Sequence, residues 1–259
     1  MKFLAELYQL GFFNPVRLFK LYKAKKLHGK NTSFLLQYGA AFYKHKTAIA
    51  DGEQALSFAE LYKQVTTLTS IIYQQTENKE DITAFLVCNN SIQHILLLFA
   101  IQNTGMKLVL INDKNHQNDI LNIINTQKNP CLVFASESKM LPVENLICIE
   151  ELFNYTEEKQ IHFKPSQKAT AVIFPTSGTT GASKLIQKKE GAFYWFRSFT
   201  DLVTYTGIYK KKSVFIAVPV SHGFGYTALM FSLVLGKKAV VSATKDWNQK
   251  ADIILQEKV

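Results

Sequence analysis

Pro175-Thr176-Ser177-Gly178-Thr179-Thr180-Gly181-Ala182-Ser183-Lys184 is the stretch from which the rest of this 259-residue chain is read. Thr176 to Thr180 are all hydroxyl residues or glycine, and a second glycine and a lysine follow. Glycines let a backbone turn tightly and bring its N–H groups up to an anion. Ser and Thr hydroxyls are short neutral donors that can ring a phosphate, and Lys184 adds a point charge for its oxygens. A plain surface turn draws on the same residues, but seldom at this density. The spacing differs from the P-loop pattern, which needs Gly, four residues, then Gly-Lys-Ser/Thr. Here Gly178 and Gly181 are three apart and Lys184 lies three beyond. The apolar run Ala171 to Phe174 precedes the stretch and Leu185-Ile186-Gln187 follows it. Both flanks read as strands, so the loop joins strand to strand rather than strand to helix.

Working outward, the chain alternates strand and helix. Thr47 to Ala50 reads as a strand, Asp51-Gly52 as a hairpin turn, and Ser57-Phe58-Ala59-Glu60 as a capping box. The box opens a helix with Phe58, Leu61, Val65, Leu68 and Ile72 on one face. Strands are expected at 82–88, 108–111, 131–135 and 146–149, with helices from Ser91 to Gln102 and from Asp119 to Thr126. Beyond the loop come a helix over 190–205, a strand over 213–218, a helix over 226–235 and a strand over 239–242. Such alternation means βαβ units and largely parallel sheets flanked by helices in a layered αβα arrangement, an α/β fold. The expected organisation is an N-terminal helical arm over 1–46, a first α/β subdomain over 47–155, a polar linker over 156–168, and a second α/β subdomain over 169–259 carrying the loop.

Charge is uneven. The net charge is +10, and no acidic residue lies between Glu6 and Asp51, where Arg17, Lys20, Lys23, Lys25, Lys26, Lys30, Lys44 and Lys46 fall. Asn14-Pro15 starts a helix as N-cap and first turn. That helix is expected to keep Leu18, Phe19, Leu21 and Tyr22 on one side and Arg17, Lys20 and Lys23 opposite, the composition of a helix lying on an anionic membrane. An arm packed on the domain with a solvated basic face fits equally. No nucleic-acid reader motif accompanies the charge, so no nucleic-acid partner is expected. Cys88, Cys131 and Cys148 are scattered in apolar surroundings, which argues for reduced thiols and against a zinc site. No metal-ligand spacing occurs. No apolar run approaches a membrane span, and residues 1–30 lack a secretory leader's order. A cytoplasmic protein, at most peripheral to the inner membrane face, is the expectation.

Thr176-Ser177-Gly178-Thr179-Thr180-Gly181-x-x-Lys184 closely resembles the phosphate-loop signature of the acyl-adenylate-forming superfamily of acyl-CoA synthetases, adenylation domains and luciferases. Ala48-Ile49-Ala50-Asp51-Gly52 followed by Leu56-Ser57-Phe58-Ala59-Glu60-Leu61 resembles the family's opening. Gly105-x-x-Leu108-Val109-Leu110 resembles its second landmark. Pro219-Val220-Ser221-His222-Gly223-Phe224-Gly225 resembles its next motif, although Ser221 stands where Phe is commoner. The resemblance runs in order from about 48 to 241.

It implies that a carboxylate attacks the α-phosphate of Mg-ATP and that the acyl group then passes to a thiol. Two anions must be brought together, so catalysis is mostly positioning and charge neutralisation. By the resemblance, Thr176, Ser177, Gly178, Thr179, Thr180, Gly181 and Lys184 hold the phosphates, and His222 sits near the reacting carboxylate as the catalytic residue. ATP, Mg2+ and coenzyme A are the implied ligands. The basic aromatic arm resembles that preceding the domain in bacterial long- and very-long-chain acyl-CoA synthetases, which implies a fatty acid rather than an aryl or amino acid. The family's adenine-binding segment, ribose-binding Asp, hinge and adenylation lysine match nothing before Val259. The chain alone is therefore not expected to adenylate efficiently. The other readings are a split enzyme whose C-terminal half is a separate chain, and a non-catalytic homologue that binds nucleotide or serves as scaffold.

Overall fold

The computed structural model describes residues 8, 13–29, 31–76, 82–127, 131–154, 165–168, 171–176, 184–187, 205 and 207–259. Two sheets organise them. The six-stranded sheet has the order β6-β5-β3-β4-β7-β8, built from β3 (Thr83–Cys88), β4 (Lys107–Asn112), β5 (Cys131–Ala135), β6 (Leu146–Cys148), β7 (Val172–Thr176) and β8 (Lys184–Gln187). The four-stranded sheet has the order β2-β1-β10-β9, built from β1 (Thr47–Ala50), β2 (Ala55–Ser57), β9 (Ser213–Phe215) and β10 (Lys238–Val240). Pairing is parallel except for β1 with β2 and β7 with β8. The α/β expectation holds.

Successive side chains of a strand point to opposite faces, and β3 and β4 show it. Ala84, Leu86, Leu108 and Leu110 join one apolar core with Ile49 and Ala239 of the other sheet's strands and with Val241 just past β10. Phe85, Val87, Val109 and Ile111 join a second core with Ile120, Ile123 and Ile124. Helices α3 (Phe58–Gln75) and α4 (Ile92–Thr104) contribute to the first core, and α5 (Gln117–Asn125) to the second. The layers therefore run four-stranded sheet, helices, six-stranded sheet, helix. Every residue of α4 except Gln93 is buried, as a helix apolar all round should be.

Local signals set the helix ends. The capping box forms in full: Glu60 N–H donates to Ser57 Oγ at 3.2 Å, and Ser57 N–H donates to Glu60 Oε2 at 2.8 Å. Ser91 caps α4, and Gly105 ends it at φ 86°, in the left-handed region where glycine is at ease. Asn14 caps α1 (Pro15–His28), accepting from the Val16 and Arg17 amides. Each such cap stabilises by about 1 kcal/mol.

Some expectations change. The strand pairing does not divide at the polar stretch: β7 and β8 share a sheet with β3 to β6, and β1 and β2 share one with β9 and β10. Buried strands read alike as short apolar runs, so sequence order alone does not assign them to a sheet. The strand expected at 146–149 ends at Cys148, and α6 (Ile149–Asn154) follows it directly. The expected helix over 190–205 lies outside the described residues, apart from Tyr205.

The helical arm is α1 followed by α2 (Phe34–Phe42), and Arg17, from the side read as basic, turns inward. Arg17, Ala24 and His28 are buried, while Leu18, Phe19 and Tyr22 are exposed. Arg17 donates from Nε to the Tyr38 hydroxyl and from its guanidinium to the Tyr43 hydroxyl and, at 3.2 Å, to the Val234 carbonyl. Its carbon lies 5.3–5.7 Å from the ring centroids of Tyr38, Phe42 and Tyr43. Hydrogen bonds and cation–π contact together offset the desolvation of the cation.

Candidate functional site

The organising stretch is a hairpin. Ile173 pairs with Gln187, Phe174 with Ile186, Pro175 with Leu185 and Thr176 with Lys184, all antiparallel. Residues 177–183 connect the last pair. The strand-loop-strand setting read from sequence is thus present. Thr176 and Lys184 face each other across the ladder at the mouth of the loop. Ser177, Gly178, Thr179, Thr180 and Gly181 lie outside the described residues. Because β7 runs parallel to β4, the loop leaves the sheet at the carboxyl ends of its parallel strands, where open α/β sheets bind ligands.

His222 is exposed and forms the N-cap of α7 (Gly223–Val234), without a side-chain cap bond. Its turn is tight. His222 N–H donates to the Pro219 carbonyl at 2.9 Å, and Tyr226 N–H donates to the His222 carbonyl at 3.0 Å. A Cβ at Gly225 would overlap the Pro219 and Val218 carbonyl oxygens, so glycine permits the close approach. The helix starts three residues earlier than its apolar pattern suggests, because Gly223-Phe224-Gly225 reads as loop.

Two contacts bring this turn beside the hairpin. A Cβ at Gly223 would lie 3.9 Å from the Phe174 ring, and the Phe174 and Tyr226 rings meet edge-on with centroids 5.7 Å apart. Gln102 of the buried helix donates to the Tyr226 hydroxyl at 3.0 Å. Phe174 is two residues before Thr176, and Tyr226 is four after His222. The two motifs, nearly fifty residues apart in sequence, share one packed wall.

One residue that the motif reading passes over is central here. Asn90, buried just beyond β3, donates from Nδ2 to the Ile216 carbonyl at 3.0 Å and the Val218 carbonyl at 3.2 Å. Its Oδ1 accepts from the Val220 amide at 2.8 Å. The sequence signal was the Asn-Asn-Ser string, which reads only as a helix start.

His94 is a buried histidine of α4. Its Nδ1 lies 2.5 Å from Ser91 Oγ, while its Nε2 has no partner among the described residues. Burial pulls its pKa down to about 4, against the opposing fields of Asp113 and Glu150. A neutral core histidine is the plain account of it. Burial also pushes the Cys88 thiol up, so this thiol stays protonated, and all three cysteines are free. Among the described residues no group of three or more His, Cys, Asp or Glu could hold a metal ion, and no helix is long and apolar enough to cross a membrane.

The family model described as AMP-binding enzyme matches residues 36–259. The chain belongs to the AMP-binding enzyme family. This AMP-binding domain is 27% identical over 210 residues to the 2-succinylbenzoate–CoA ligase of Bacillus subtilis strain 168, covering 80% of the chain and 43% of the ligase. It thus spans less than half the length of that relative. Its fold superposes on O-succinylbenzoate coenzyme A synthetase from Bacillus subtilis in complex with AMP, with a TM-score of 0.75 at 22% identity, over 87% of this chain and 59% of that one. The same synthetase in complex with ATP and magnesium ion matches with a TM-score of 0.73 at 22% identity, over 87% of this chain and 61% of that one. The fold is that of the N-terminal domain of adenylate-forming enzymes.

Proposed function

We propose that the chain is the ATP-gripping portion of an acid–thiol ligase. In this reading a carboxylate oxygen attacks the α-phosphorus of ATP, the bond to the β-phosphate breaks, and pyrophosphate leaves. A thiol, taken to be that of coenzyme A, then attacks the acyl carbonyl, and AMP departs with its electron pair. The observation that carries the reading is the Thr176–Lys184 pairing, with the Ser/Thr/Gly loop at its mouth and the turn of His222 packed beside it.

The hydroxyls of Thr176, Ser177, Thr179 and Thr180 and the amides at Gly178 and Gly181 would hold the β- and γ-phosphates. Lys184 would neutralise their charge, and His222 would approach the carboxylate. Magnesium ion fits as a companion of the phosphates, since it commonly keeps its waters and is held by substrate oxygens with one or two carboxylates.

For the acid, we propose an aromatic carboxylate in place of the expected fatty acid. The fatty-acid expectation rested on the arm, and the relatives are named for 2-succinylbenzoate. Saturation-transfer NMR of the chain with ATP and 2-succinylbenzoate, 4-coumarate or octanoate tests this. Contact with the aryl acids and none with octanoate is expected; a preference for octanoate contradicts it.

A second reading concerns α1. Leu18, Phe19 and Tyr22 point outward with Lys23, Lys25 and Lys26 exposed around them, and the Lys23 ammonium sits 4.6 Å from the Phe19 ring centroid. We propose that this face rests on an anionic membrane surface. Co-sedimentation with vesicles containing phosphatidylserine, lost in phosphatidylcholine alone, is expected; equal recovery with both lipids counts against it.

A further inference from the structure

The backbone between β9 and His222 has an unusual support. Strand β9 ends at Phe215, and the Ile216 amide makes one more bond, 2.8 Å to the Val240 carbonyl. Past that point the segment leaves the four-stranded sheet. The Ile216 and Val218 carbonyls and the Val220 amide all turn to the single side chain of Asn90. A primary amide has donor and acceptor at peptide-like spacing, so Asn90 acts as a one-residue strand. Gly225 also packs on this backbone, against the carbonyls of Val218 and Pro219, with no room for a Cβ. Both contacts hold the segment, and the His222 amide closes the turn onto Pro219.

We infer that Asn90 is a positioning residue for His222. It ties the carboxyl end of β3 in one sheet to the strand extension that carries the histidine from the other. It thereby fixes the backbone from which His222 projects, next to the Gly223 and Tyr226 contacts with Phe174 of β7. The inference rests on the proposed role of His222 at the reacting carboxylate. Asn90 touches neither nucleotide nor acid in this account; it acts through the 216–220 backbone.

The test compares wild-type, Asn90→Ala and Asn90→Asp chains by NMR, reading amide exchange at Val220 and the imidazole resonances of His222. The exposed His45 and His116 serve as references. With the fold retained by circular dichroism, Val220 exchange should rise at least tenfold in Asn90→Ala. The rise should be smaller in Asn90→Asp, which keeps the acceptor and loses the donors. The His222 resonances should shift in both, while those of His45 and His116 stay. Unchanged Val220 exchange and His222 resonances in both variants would overturn the inference. Unfolding of both would make Asn90 purely structural and overturn it equally. If His222 of the wild-type chain does not respond to ATP and acid together, the proposed function loses its histidine while the Asn90–Val220 contact stands.

Discussion

The ring of Phe174 stands edge-on to that of Tyr226, their centroids 5.7 Å apart at an interplanar angle of 62°. Through it, the strand that opens into the Thr176–Lys184 loop leans on the helix that His222 caps. An aromatic pair of this kind stabilises by about 1 kcal/mol beyond its buried area. Its larger consequence is geometric, since the contact sets β7 beside the start of α7.

Gly225→Ala tests how tightly that helix start is held. The added methyl meets backbone oxygens, which cannot rotate away as a side chain would. Overpacking of this sort costs about 2 kcal/mol, so the melting temperature should fall by roughly 4–8 °C. Differential scanning calorimetry checks it. A variant as stable as wild type would mean the turn relaxes freely.

Arg17 and the outward lysines of α1 should separate cleanly. Arg17→Lys cannot reproduce the guanidinium's contacts to both Tyr38 and Tyr43 and should cost about 2 kcal/mol, with vesicle binding unchanged. Lys23→Gln with Lys26→Gln should leave stability alone. On anionic vesicles this pair should weaken binding roughly 30-fold, about 1 kcal/mol for each charge. Calorimetry and sedimentation read the two effects independently.

His28 should make the fold sensitive to mild acid. Its ring is fully buried, neither nitrogen has a partner among the described residues, and burial lowers its pKa from 6.5 to about 4. Between those values the unfolded chain binds the proton and the native chain does not. Stability is therefore full above pH 6.5, declines as pH falls toward 4, and levels off below. The loss from pH 7 to 5 is about 1–2 kcal/mol from this residue. His28→Leu should show a flatter profile over that range in urea titrations. Part of the slope remains, because His94 titrates in the same direction.

What the sequence disclosed was local. Asn14-Pro15, the Ser57–Glu60 box and Gly105 each act within a turn or two of chain, and each is found where it was read. The hairpin was legible because apolar strands flank a loop of the wrong spacing for a P-loop. Asn90 was not legible, because its partners lie 126–130 residues away. Arg17 was misplaced because charge patterning alone puts a cation outside; only the fold supplies the tyrosines that let it in. The early start of α7 was hidden by Gly223 and Gly225, residues that signal loop in isolation and here permit close packing. The four-stranded sheet draws its strands from both ends of the chain, β1 and β2 with β9 and β10, which no run of apolar residues announces.

The central claim is that the Thr176–Lys184 hairpin grips the polyphosphate of ATP. Isothermal titration of the chain with ATP, repeated with Lys184→Ala and with pyrophosphate as competitor, tests it most directly. The expected result is saturable ATP binding that pyrophosphate displaces, weakened about 10- to 100-fold in Lys184→Ala, the size of one charge-assisted contact, with the melting temperature unchanged. Absence of ATP binding by the wild-type chain, or equal affinity in Lys184→Ala, would contradict it.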